Sequence, residues 1–284
     1  MADNLLPGPL TAGQLRTFID FDGGGAGAGT QARTQSDGVA ALWQLLRSKG
    51  FGYLADEVGM GKTRQAMALI ALQLLEDPDA QVVIVCPGKT LQEQWVREWD
   101  AFTRTCYLPL DDRLRSARTG RAVSTIALHE RLGDFALSLQ RGDRRIHLLR
   151  YSSFSRPLWF GFPDDGGYQP GALFAVYAEA LAPLGAEPSP DDRAELARAQ
   201  ASREETAVKH FGTLLQARYA ARLGQLLCAR GIALAVFDEA QYLRHVGNQQ
   251  NRHILGLFNP HARRWLFLSA TPLHSGTQSL ACLD

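Results

Sequence analysis

Short unbroken apolar runs alternate along this chain with longer stretches in which apolar residues recur every three or four positions. The runs lie at 51–55, 81–86, 146–151, 232–237 and 265–268. Within 82–86 and 232–237 no polar residue interrupts the run, the pattern of a strand buried on both faces of a parallel sheet. Between the runs, Val39, Leu42, Trp43, Leu45 and Leu46 repeat at helical spacing until Ser48-Lys49-Gly50. Residues 65–72 predict a second helix, stopping near Glu76-Asp77-Pro78. A third is expected from Leu91 to about Phe102, opened by a capping box of Thr90 and Glu93, with Trp95 and Trp99 four apart on the face that packs. Strand and helix in alternation predict an α/β fold, a parallel sheet flanked by helices.

Two regions depart from that rhythm. Residues 103–145 offer a charged solvated loop at 111–121 and a helix at 128–139. Residues 157–230 begin with turn chemistry at 163–167 and continue with a helix start at Ser189-Pro190-Asp191-Asp192 and a helical stretch over 207–227. This stretch predicts a helical hairpin inserted between strands, with mixed charges that fit a solvated cap. The glycine-rich stretch 21–29 makes residues 1–34 a flexible N-terminal segment. The expected organisation is therefore 1–34 flexible, 35–156 the first part of an α/β lobe, 157–230 a helical insertion, and 231–284 the rest of the lobe.

Composition narrows the classes. With 284 residues, 45% of them hydrophobic, the chain can bury a full core. A net charge of +1 supplies no global basic field, so any nucleic acid would have to meet a local patch. The four cysteines (Cys86, Cys106, Cys228, Cys282) form no C-x-x-C pair, which points to reduced thiols and away from zinc or a disulfide framework. No apolar run reaches the length of a membrane span and no leader pattern is seen, so a cytoplasmic protein is expected. Lysine is used only at 49, 62, 89 and 209, leaving 30 − 4 = 26 arginines. That skew fits a GC-rich, bacterial genome and makes Lys62 and Lys89 stand out.

The candidate chemistry sits at the carboxyl ends of the runs. After the first comes Asp56-Glu57-Val58-Gly59-Met60-Gly61-Lys62-Thr63, and then a helix. Gly59 and Gly61 allow the backbone to curl so that Met60 and its neighbours aim N–H groups at phosphate oxygens, helped by the helix N-terminus. Lys62 supplies a full charge to the β- and γ-phosphates, and the Thr63 hydroxyl is a magnesium ligand. Asp56 stands where the common phosphate-loop pattern has glycine, which weakens a kinase or GTPase reading. After the fourth run come Asp238 and Glu239, two acids at a strand end that call for a cation. Asp238 would hold Mg2+ and Glu239 would orient and deprotonate the attacking water, so Lys62, Asp238 and Glu239 are the catalytic candidates. Lys89 and Thr90 follow the second run, and Ser269-Ala270-Thr271-Pro272 follows the last, on the edge where open α/β sheets bind ligands. His245, His253 and His261 fit no metal spacing.

Together, residues 55–63, Asp238-Glu239-Ala240-Gln241 and Ser269-Ala270-Thr271-Pro272-Leu273 closely resemble motifs I, II and III of superfamily-two helicase-like ATPases, in the Swi/Snf-related translocase branch. That branch carries Asp-Glu ahead of Gly-x-Gly-Lys-Thr, which accounts for Asp56. Gln35 resembles its adenine-recognising glutamine, 56 − 35 = 21 residues before Asp56, although Thr34 stands where the family has an aromatic residue. Residues 86–90 resemble motif Ia, and Tyr151-Ser152-Ser153-Phe154 weakly resembles the next DNA-contacting segment. The resemblance implies a RecA-like lobe that binds ATP and Mg2+ and belongs to a motor on duplex DNA. It casts Lys89, Thr90, Ser269 and Thr271 as DNA-contact or coupling residues. It also implies a second RecA-like lobe, in cis or in trans, whose arginines are expected to be missing here, so turnover by this lobe alone is expected to be weak. Two alternatives stay open: a non-catalytic nucleotide-binding module that docks a protein partner through 157–230, and an unrelated P-loop kinase or GTPase.

Overall fold

The computed structural model describes residues 9–22, 29–55, 61–108, 126–142, 144–155, 157–158, 169–202, 204–244 and 248–270. Six strands form one sheet, all parallel: β1 (Phe51–Ala55), β2 (Val82–Cys86), β3 (Ile126–Leu128), β4 (Ile146–Arg150), β5 (Leu234–Phe237) and β6 (Trp265–Ser269). Their spatial order is β1-β6-β5-β2-β4-β3. The five strands expected from apolar runs are present. β3 is the addition, three residues too short to stand out as a run, recognisable only by pairing with β4.

Alternate residues of each strand feed two cores. Val82, Ile84, Leu234, Val236, Leu266 and Leu268 face one side, where they meet α1 (Ala12–Leu15), α2 (Thr30–Lys49), α3 (Lys62–Glu76) and α4 (Lys89–Thr105). Val83, Val85, Ala235, Phe237, Trp265 and Phe267 face the other, against α5 (Leu132–Arg141), α6 (Pro170–Leu181), α8 (Glu205–Arg230) and α9 (Gln249–Phe258), with α7 (Pro190–Ala201) packed outside α6 and α8. Phe237 stacks on Trp265 and Phe267 at 5.3 and 5.4 Å, which stitches β5 to β6 on that second face. Gly50, in the left-handed region at φ 71°, closes α2 and turns the chain straight into β1.

Several expectations change. Part of the N-terminal segment read as flexible is packed: Leu10, Leu15, Ile19 and Phe21 are buried in the first core, and Ile19 bridges Tyr107. The α2 helix starts at Thr30, before the Gln35 boundary. The expected Thr90–Glu93 capping box is not formed, because α4 begins two residues earlier with Gly88 as its cap, and Thr90 lies inside the first turn. Among its described residues, the segment between β4 and β5 holds three α-helices, α6, α7 and α8, where a hairpin of two was expected. Its additional member, α6, opens with Pro170 in the first turn, where a missing N–H leaves no helical bond unmade. The expected start of α7 is present, with Ser189 and Asp192 capping each other. The helix α9, unforeseen, is capped by Asn248. The loop expected at 111–121 and the turn at 163–167 lie outside the described residues.

The α8 helix is anchored by Phe211, Leu215, Tyr219, Leu223 and Leu227. Each fully buried side chain of this size contributes about 1.5–3 kcal/mol, so five of them dominate over an otherwise polar surface. Beneath β3 and β4, His129 and His147 stack at 5.2 Å and share a hydrogen bond of 3.0 Å. The Gln81 amide satisfies this cluster when its nitrogen donates to His147 Nε2 (3.0 Å) and its oxygen accepts from Arg145 (2.9 Å). Burial, then the neighbouring His129 and arginines, pushes the His147 pKa down to about 3. A depressed histidine stabilises the fold above its unfolded value near 6.5 and progressively less as pH falls towards 3, because only the unfolded chain takes up the proton. His147→Gln should therefore flatten the pH dependence of unfolding free energy between about pH 6.5 and 4.5. The wild type should lose about 1.4 kcal/mol more per pH unit than the variant, read by urea denaturation at several pH values.

Candidate nucleotide site

The site lies at the carboxyl edge of β1, β6, β5 and β2. The chain leaves β1 at Ala55 and is described again from Gly61, where α3 begins. Gly61 sits at φ 81°, a conformation that side chains with Cβ rarely adopt. A Cβ there would also lie 2.2 Å from Gln35 Nε2, so buried Gln35 presses its amide directly on the cap of α3. One turn further along, Gly38 of α2 makes room for Gln65 of α3 in the same way: a Cβ at Gly38 would lie 2.8 Å from Gln65 Oε1. Lys62 and Thr63 follow, partly buried, in the first turn of α3, the positive end of that helix's dipole.

Asp238 follows β5 directly, and its N–H donates to Val85 O at 2.9 Å, continuing the ladder with β2. Its side chain is held closely. Trp95 Nε1 donates to Oδ2 at 2.9 Å, Glu239 N donates to Oδ1 at 3.0 Å, and Tyr151 Oη donates to the Asp238 carbonyl at 3.0 Å. Glu239 is in the left-handed region at φ 53°, the one non-glycine residue there among the described residues. From that conformation its carboxylate accepts from Gln241 Nε2. Gln241 Oε1 in turn accepts from Ser269 Oγ at 2.9 Å, linking the end of β6 to Glu239.

The electrostatics follow from that packing. Burial raises the Asp238 pKa above the usual carboxylate range; the Trp95 hydrogen bond opposes this, the Glu239 charge adds to it, and the Lys62 ammonium pulls it back. The same acids act on their neighbours. Burial and then Asp238 push the Cys86 thiol up to about 12, and burial with Asp238 raises the Tyr151 phenol well above its ordinary value. The rim thus carries a buried acid, a second acid beside it, and an ammonium near enough to be felt.

Lys62, Thr63, Asp238, Glu239, Gln35 and Ser269 are brought together on this rim, since only β6 separates β1 from β5. Lys89 and Thr90 are exposed at the start of α4, after β2, on the same edge but one strand further along. Asp56, Gly59, Met60 and Thr271 lie outside the described residues. The His253 ring meets the Phe154 carbonyl at 2.8 Å, a structural contact away from the rim. Tyr151 and Gln241 lay inside segments that resembled family motifs without being singled out as site residues, and Trp95 was not a site candidate. Trp95 read correctly as a packing residue, and nothing within its helix reports that its N–H meets a carboxylate 143 positions away. Among the described residues no group of three or more His, Cys, Asp or Glu is placed to hold a metal, and no helix is long and apolar enough to cross a membrane.

Several known proteins are similar to this chain. Two relatives from Schizosaccharomyces pombe match a 65-residue stretch, 23% of this chain: ATP-dependent helicase fft2, at 43% identity, and ATP-dependent helicase fft3, at 35%. The match spans only 5% and 7% of those proteins' own lengths. Among solved structures, the Sulfolobus solfataricus SWI2/SNF2 ATPase core in complex with dsDNA aligns over 91% of this chain and 35% of its own, with 17% identity and a TM-score of 0.46. The model of the SNF2-related domain matches residues 34–283, from the first turns of α2 through every strand of the sheet. A lysine at the start of α3 and a strand-end acid pair on one edge of a parallel sheet, within a family match of that extent, mean that the chain belongs to the SNF2-related domain family.

Proposed function

We propose that this chain is the nucleotide-binding lobe of a DNA-dependent ATPase of the Swi/Snf type, which hydrolyses ATP to move on duplex DNA when a second RecA-like lobe completes the site. The observation that carries this reading is the convergence of the α3 start and the β5 acids on one edge, with the Lys62 charge acting on Asp238. Lys62 binds the β- and γ-phosphates, together with the N–H groups of the first turn of α3 and of the loop containing Asp56, Gly59, Met60 and Gly61. Gln35, seated on Gly61, contacts the adenine side of the nucleotide. Glu239, angled by its positive φ and steadied by Gln241, orients the attacking water and takes its proton.

A magnesium ion fits the donor set: a buried acid whose charge is resisted, a second acid next to it and a threonine hydroxyl, with few enough protein ligands that phosphate oxygens and water complete the shell. Thr63 and Asp238 would hold it, and when bound it neutralises charge that develops on the phosphates. Lys89 and Thr90, exposed at the start of α4, contact a DNA phosphate, and Ser269 couples that contact to Glu239 through Gln241, with Thr271 a further coupling residue. An arginine from the second lobe is worth about 10³ to 10⁵ in rate, so this lobe alone turns ATP over slowly. Residues 157–230 are an addition to the lobe, and α7, which buries only Asp192 and Ala199, offers the outer face on which a protein partner docks.

Lys62→Ala should abolish Mg·ATP binding, and Glu239→Gln should retain binding while lowering DNA-stimulated turnover by at least about 10², the range expected when general base catalysis is removed. Equilibrium binding and steady-state hydrolysis with and without duplex DNA, in the presence of the second lobe, check both. Preserved binding in Lys62→Ala would sink the reading. Asp238 also carries a stability signature. Because its folded pKa is raised, it favours the fold when protonated, and that contribution is lost as pH rises through the folded value. Asp238→Asn should then melt at a higher temperature than the wild type at about pH 7 in EDTA, with the difference closing near pH 4, while losing Mg2+-dependent nucleotide binding.

A further inference from the structure

Asp238 is gripped from both faces of the sheet. Trp95, 1% exposed, belongs to the first core and reaches the Oδ2 atom; Tyr151, 2% exposed, belongs to the second core and reaches the carbonyl oxygen. Both rings are buried. The Trp95 ring lies in the row of buried aromatics on α4, where Trp99 stacks on Phe102 at 5.8 Å. The Tyr151 ring stacks on Tyr242 at 5.5 Å and 16°, directly beside the acidic turn. With Glu239 N on Oδ1, the plane of the carboxylate is set by donors on both oxygens, and each oxygen keeps a second lone pair for an outward contact.

Packing alone does not explain this pairing. The same cores bury other aromatic donors without partnering them: Trp43 Nε1 and Tyr219 Oη have no hydrogen-bond partner among the described residues. The fold therefore tolerates a lone indole or phenol, whereas the two donors beside β5 both end on Asp238. A carboxylate that must meet a metal from a fixed direction needs such outer partners, which orient the ligand and resist its collapse into the core.

We infer that Trp95 and Tyr151 are positioning residues of the metal–nucleotide site, together fixing the direction and depth at which Asp238 is presented to the cation. The inference rests on the reading of Asp238 as a magnesium-side acid. Neither residue touches nucleotide or metal; each acts through Asp238.

The test uses the full chain with Trp95→Phe and Tyr151→Phe, and mant-ATP fluorescence as the readout, titrated with Mg2+ and, separately, in EDTA. In either variant the Mg2+ concentration for half-maximal binding should rise about tenfold, the lower end of the loss usual for outer partners of metal ligands. Affinity in EDTA should stay at the wild-type value, which a general structural weakening would not allow. Tyr151→Phe deletes a single hydroxyl and carries the test if Trp95→Phe does not fold. An unchanged Mg2+ requirement in a folded variant, or an equal loss with and without Mg2+, overturns the positioning role while leaving the nucleotide site intact. Failure of the wild type to bind mant-ATP in an Mg2+- and Lys62-dependent way overturns the underlying reading and this one with it.

Discussion

Placing a carboxylate at the end of a strand that is buried on both faces costs free energy, and the arrangement around Asp238 follows from how that cost is offset. Solvent cannot hydrate the group fully, so N–H and O–H donors from α4, from the residue after β4 and from the next peptide replace the water. They do not replace it completely. The Asp238 pKa remains raised, which leaves the rim with a residual demand for positive charge. Lys62 meets part of it. The stability of the empty fold and its readiness for ligand are thus set against each other at one residue.

The sheet makes that possible by its order. With β6 between β1 and β5, the start of α3 and the acid pair sit about two strand spacings apart, roughly 10 Å. Ser269 at the end of the intervening strand then falls between them in register with Ala55, and Gln241 spans the remaining gap to Glu239. Parallel pairing throughout aligns all the carboxyl ends on one edge, so every loop that carries chemistry emerges on the same side.

The second face shows how the helices between β4 and β5 pack on the sheet without disturbing the rim. The anchors of α8 recur every fourth residue, and in a helix of about 3.6 residues per turn each step rotates the contact by about 40°. The buried stripe therefore winds around α8, which lets one long helix touch α6 and α7 on one side and α5 and α9 on another. Inside that segment, Asp192 accepts from Ser189, Tyr177 and Arg218, so its buried charge is satisfied locally and asks nothing of the nucleotide edge.

Much of this was legible in the chain alone. Unbroken apolar runs at 82–86 and 265–268 required buried strands, glycine before Lys62 required a turn that opens a helix, and the acid pair after an apolar run called for a cation. Each of these depends on neighbours in sequence, where periodicity and backbone preference act. What periodicity cannot report is the identity of the surface on the far side of a buried face. The order that seats β6 between β1 and β5, the pairing that reveals β3, and the packing of Leu15, Ile19 and Phe21 against the first core depend on contacts between distant segments. So does the meeting of Trp95 and Tyr151 with Asp238, across 143 and 87 positions. The chain by itself determined which residues must be buried and which must find a partner; only the folded sheet decided who those partners are, because a hydrogen bond is satisfied by proximity in space and carries no mark of it in the local sequence.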